Sequence, residues 1–61
     1  MVVLTEQETV RLLVDFSDWT GGFTPDECDQ EQIDQYLSTS APSGLNLLAV
    51  KNTLYAIAGL N

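Results

Sequence analysis

An all-α fold, a small bundle of three short helices, is what this sequence predicts, and three observations predict it. Two breaks rich in glycine and serine, Thr20-Gly21-Gly22-Phe23 and Ser38-Thr39-Ser40-Ala41-Pro42-Ser43-Gly44, divide the 61 residues into three segments. Helix-capping patterns open the first two segments. Apolar residues recur at the helical period inside all three. The length suits one domain and is too short for two. At this mass a folded chain exposes roughly 3,900 Å², and helix ends and packing decide whether so small a core holds.

The first helix is expected over residues 6 to 19. Thr5-Glu6-Gln7-Glu8 is a capping box: the Thr5 hydroxyl takes the Glu8 amide, and the Glu8 carboxylate returns to the Thr5 amide. Glu6 and Glu8 also suit the positive end of the helix dipole. Val10, Leu12, Leu13, Val14, Phe16 and Trp19 cover a wide apolar arc. Glu8, Arg11, Asp15 and Asp18 fall on the opposite stripe, where Arg11 has the spacing to sit between carboxylates. Gly21 or Gly22 supplies the left-handed terminator. Met1 to Leu4 is apolar and β-branched, and a lone strand has no partner here except a second copy. It is expected as an extended arm or an added turn.

The second segment opens on Thr24-Pro25-Asp26-Glu27, another capping box with proline at the first helical position. Asp29-Gln30-Glu31-Gln32 is itself a cap, with Cys28 and Ile33 as a hydrophobic staple. Cys28 lies about 140° from Ile33 on a continuous helical repeat, away from the face shared by Ile33, Tyr36 and Leu37. The spacing therefore predicts a short helical turn near 25–28 and a helix over 30–38, with one continuous helix as the alternative.

The third helix is expected over 46–58, capped by Asn46 or Ser43 and ended by Gly59. Leu47, Val50, Leu54, Ile57 and Ala58 share its main face. Leu48 and Tyr55 form a second apolar ridge beside it. A helix apolar around most of its circumference is central in its fold or half-covered by another chain. The first and third helices are expected to supply most of the core.

Nine acidic side chains against Lys51 and Arg11 give a net charge of −7, with no histidine. Such a surface is repelled by phosphate backbones and anionic lipid, so no direct nucleic-acid binding and no membrane association is expected. The apolar stretch from Leu54 to Gly59 is far below a membrane span, and Met1 to Leu4 lacks a signal-peptide pattern. A cytoplasmic protein is the expectation. Cys28, alone, supports neither an internal disulfide nor a Cys/His zinc set.

Catalysis and cofactors find no footing. Without histidine there is no base for a nucleophile, and acidic neighbours discourage a Cys28 thiolate. Asp26, Glu27, Asp29, Glu31 and Asp34 lack the glycine of a calcium loop and fan around a helix instead of converging. No catalytic, cofactor or metal residue is assigned. Those carboxylates, with Glu8, Asp15 and Asp18, could imitate a nucleic-acid backbone and block a DNA- or RNA-binding protein. Against that reading, most acidic residues here start helices; Asp18, Glu31 and Asp34 stay as acidic-face candidates. Trp19 and Phe23, flanking the diglycine, are expected to close the core and also have the character of interface anchors. The functional expectation is a non-catalytic interaction or regulatory module. Leu48, Tyr55, Trp19 and Phe23 are its interface candidates, and a protein partner or a homodimer through helix 45–58 is the expected assembly.

Overall fold

Local chemistry at the helix ends lays out the architecture. The computed structural model of the protein describes residues 3–60. Helix α1 spans Glu6–Thr20, a 3₁₀ turn spans Pro25–Glu27, and helices α2 and α3 span Gln30–Thr39 and Leu47–Ala58. The fold is all-α, as the capping sequences predict, and the second segment is a turn followed by a separate helix.

Each α-helix start is capped by a residue that the sequence nominates, whereas the Thr24 side chain accepts no amide at the 3₁₀ turn. Thr5 accepts from the Glu8 amide at 3.1 Å while its own amide donates to the Glu8 carboxylate at 2.9 Å. Asp29 and Gln32 make the same reciprocal pair at the start of α2, at 2.9 and 3.2 Å. Asn46, rather than Ser43, caps α3, accepting from the Ala49 amide at 3.0 Å. At the 3₁₀ turn the Glu27 carboxylate reaches back to the Thr24 amide, and the Thr24 hydroxyl donates to the Asp26 and Glu27 carboxylates. Two helices end on glycines with positive φ, Gly21 at 84° and Gly59 at 74°. After each, the next amide reaches back to close the last turn, Gly22 to Ser17 and Leu60 to Tyr55; only glycine enters that region without a Cβ penalty.

Six side chains form the core cluster: Leu12 and Phe16 of α1, Ile33 and Tyr36 of α2, Val50 and Leu54 of α3. The three helices contribute equally, which corrects the expectation that α1 and α3 dominate. Tyr36 is the largest fully buried side chain. Leu4, Cys28, Leu37 and Leu45 pack around the cluster. Leu4 thus makes the N-terminal segment an arm against the core; Met1 and Val2 of that expectation lie outside the described residues. Cys28 meets the cluster containing Ile33, as the staple requires. Pro25 is fully buried, and the short turn carrying it makes more extensive contact with α3 than α2 does.

Several residues assigned to apolar faces are outside. Val10 and Val14 are exposed on α1, as are Leu47 and Ile57 on α3. Helical periodicity reports which residues share a face, and the number of neighbours decides how wide a face is buried. On α1 only the Leu12–Phe16 edge is fully covered. On α3 full burial is confined to Ala49, Val50 and Leu54, and the neighbouring elements leave Leu47 at its start and Ile57 in its last turn outside. The total accessible surface, 4010 Å², nevertheless matches the roughly 3,900 Å² expected for the mass.

The mid-helix position of Leu54 makes it the sensitive one. We predict that Leu54→Ala costs about 3–5 kcal/mol and leaves the chain largely unfolded at room temperature, given the small margin of so short a domain. Leu48→Ala, at an exposed position, is expected to shift stability by no more than about 0.5 kcal/mol. Urea unfolding followed by circular dichroism compares the two, and equal effects would contradict this core.

Candidate functional site

Two surface regions hold the residues that the sequence nominates. One is the α2–α3 side. Tyr55 is half-buried, and its hydroxyl donates to the Asp34 carboxylate on α2. The Gln30 carboxamide donates to the same hydroxyl at 3.4 Å, and the Lys51 ammonium lies 5.5 Å from the ring centroid. The bond to Asp34 raises the Tyr55 pKa, since ionising the hydroxyl would set two negative charges together. Tyr55 is therefore spent on joining two helices of its own chain, and it does not extend an open ridge from Leu48. Leu48 remains 59% exposed on α3.

The other region is the end of α1. The Thr20 hydroxyl lies within hydrogen-bonding distance of the Phe16, Ser17 and Phe23 carbonyls and accepts from the Phe23 amide at 3.1 Å. This knot holds the diglycine loop and presents Phe23, which is 51% exposed. Phe23 does not close the core, which corrects the sequence expectation. Trp19 does so only in part. Its ring sits 6.2 Å from Phe16 and 5.2 Å from Tyr36, and 37% of it faces solvent. Between Val14, Asp18 and the two glycines lies a shallow hollow of about 340 Å³.

The acidic candidates do not form one face. Asp18 borders that hollow, Glu31 lies in the first turn of α2, and Asp34 holds Tyr55. Asp15 and Arg11 depart from the expected surface pairing. Arg11 donates to the Ser43 carbonyl at 3.2 Å, tying α1 to the loop before α3, and Asp15 accepts from the buried Tyr36 hydroxyl at 2.5 Å. Among the described residues, no three His, Cys, Asp or Glu side chains converge as a metal site would require. No helix there is long and apolar enough to cross a membrane.

Sequence reasoning missed an apolar groove between the start of α1 and α3. It has a volume of about 390 Å³ and is walled by Val3 and Thr9 on one side and by Thr53, Ala56 and Ile57 on the other. The near-uniform apolarity of α3 was the available signal. Ala56, however, is too small to stand out in a hydropathy pattern. No family model, characterised protein or solved structure matches the chain.

Two chemical consequences follow from the titratable groups. Burial, followed by the carboxylate of Asp15, raises the Tyr36 pKa well above the ordinary tyrosine value. A folded pKa above the unfolded one contributes stability below about pH 10, which is lost as pH climbs toward the folded value. Tyr36→Phe is expected to cost about 1 kcal/mol at neutral pH, because water can still reach exposed Asp15. The same change should flatten the decline in stability above about pH 10, and a wild-type slope there would show that the hydroxyl is not held in this way. Burial, then Glu27, Asp29 and Asp26, raises the Cys28 pKa. Cys28 should thus react with a disulfide reagent at pH 8 at least about tenfold more slowly than a free thiol peptide; an equal rate would rule out its packed, acidic setting.

Proposed function

We propose that this protein is a non-catalytic interaction or regulatory module of the cytoplasm that works by binding another protein chain, or itself, through the apolar surface of α3. The observation that carries the reading is the exposure of Leu47 and Leu48 beside a core already closed by Val50 and Leu54. Neither leucine contributes to the core cluster, and contiguous exposed apolar area is the kind of surface that marks an interaction site. Phe23, held by Thr20 at the end of α1, is a second anchor of the kind that dominates binding energy. The negative surface would steer approach and reject wrong partners more than it would add affinity.

An acidic nucleic-acid mimic is the competing mechanism, and salt separates the two. Binding by imitation of phosphates weakens steeply as ions screen it, whereas an apolar contact changes little. Immobilised protein should retain its partner from a cell extract of the source at both about 50 mM and about 500 mM salt, and Leu48→Glu should abolish that retention. Retention that disappears at the higher salt and ignores Leu48→Glu would sink this reading and favour the mimic.

A further inference from the structure

One acidic side chain has no structural work. Glu8, Glu27 and Asp29 accept backbone amides, Glu6, Asp26 and Glu31 sit in first turns, and Asp15 and Asp34 hold tyrosines. Asp18 does none of these. It lies in the last turn of α1, at the negative end of the helix dipole, and no basic side chain in that turn offsets it. The same helix end keeps spare acceptors. The Gly21 and Gly22 amides close on the Asp18 and Ser17 carbonyls, and no backbone amide among the described residues reaches those of Trp19 and Thr20. Neither base of the chain supplies the missing positive charge. The Arg11 guanidinium is held at the Ser43 carbonyl, and the Lys51 ammonium lies over the Tyr55 ring.

We propose that the hollow at the end of α1 seats a cationic side chain, an arginine above all, from a basic segment of another protein. Val14, Ser17, Asp18, Gly21 and Gly22 line this hollow of about 340 Å³. Val14, 65% exposed, supplies an apolar wall, and Asp18 supplies the charge. The two glycines add no side chain that would fill the space, and nothing lies within 4 Å of where a Cβ would stand. That combination suits a long side chain with an apolar stem and a charged head. The stem of an arginine can lie along Val14 while its guanidinium faces Asp18 and the carbonyl end of the helix. Other occupants fit less well. An apolar group would desolvate Asp18 without pairing it. An anion is repelled by Asp18 and by the net charge of −7 alike. A divalent ion such as calcium needs about six oxygen ligands, more than one carboxylate begins to supply. A free small cation would stay largely in water, since the hollow is too shallow to enclose it. Phe23, next to Gly22 and 51% exposed, is available to anchor a larger partner beside the hollow. Among the described residues, none of α3 lines this site, so it stands apart from the α3 surface.

Amide chemical shifts of the ¹⁵N-labelled chain, titrated with a blocked Leu-Arg-Leu tripeptide at about 150 mM salt, test this. The amides of Asp18, Gly21 and Gly22 should move saturably with a Kd on the order of 1 mM. A blocked Leu-Gln-Leu peptide should bind at least about threefold more weakly. Asp18→Asn should weaken the arginine peptide at least about threefold, whereas Glu31→Gln, which removes the same charge from an exposed position on α2, should weaken it less than about 1.5-fold. Asp18→Asn should also leave the urea midpoint unchanged or raised, because it relieves the helix end. No saturable shift at these amides, equal binding of the two peptides, or equal effects of the two substitutions would overturn the proposal. So would a lowered midpoint for Asp18→Asn, which would reveal a structural duty. Leu48→Glu should leave the response within about twofold, so this site and the binding surface of α3 stand or fall separately; a larger loss would assign the shifts to α3 and remove the site.

Discussion

The structure depends most on burying Tyr36 together with its hydroxyl. Its ring lies between Phe16 at 4.9 Å and Trp19 at 5.2 Å, both in edge-on geometry, joining α2 to α1. A phenol placed there without a partner would carry the full cost of desolvating its O–H. Asp15 removes that cost with a bond of 2.5 Å across the same helix pair. The carboxylate stays at the surface, where water supports its charge, and only the hydroxyl goes inside. Apolar packing and polar satisfaction thus come from one side chain. Tyr55 and Asp34 repeat the device nearer the surface, between α3 and α2, so α2 accepts one tyrosine–carboxylate link from each side.

So small a core requires its helices to be well terminated. Six buried side chains cannot compensate for frayed ends, and an uncapped helix start costs about 1 kcal/mol. This explains where much of the acidity goes. Glu8, Glu27 and Asp29 each accept a backbone amide, and Glu6, Asp26 and Glu31 sit in first turns. With Asp15 and Asp34 on tyrosines, Asp18 is left at the negative end of α1, where a carboxylate is least favourable. A net charge of −7 is therefore mostly the by-product of starting helices and holding tyrosines. The uncharged surface is the more informative one for binding, since it has no comparable structural duty.

Much of the site was legible only in outline. The third helix stood out as too apolar, and Leu48 is exposed as that suggested. Tyr55 was not readable as a tie, because its partner Asp34 is 21 residues away and no local pattern connects them. The groove face was hidden for a different reason. Ala56 and Thr53 matter there through small size and turned-in hydroxyls, and hydropathy registers neither.

By itself the sequence determined the number of helices and, to within about a residue, their ends; it favoured a break between the 3₁₀ turn and α2 but left one continuous helix open. Those features depend on contacts within about four residues, such as Thr5 with Glu8 or Asp29 with Gln32, which the chain order specifies completely. Only the tertiary structure decided which apolar residues are core. Val14 and Phe16 look equally hydrophobic on one helix, yet one is 65% exposed and the other fully buried. It likewise decided that Asp15 serves Tyr36 instead of Arg11, and that Pro25 lies beneath α3. Burial depends on which neighbours arrive against each face of a helix, and that is set by segments far apart in the chain, which no local pattern records.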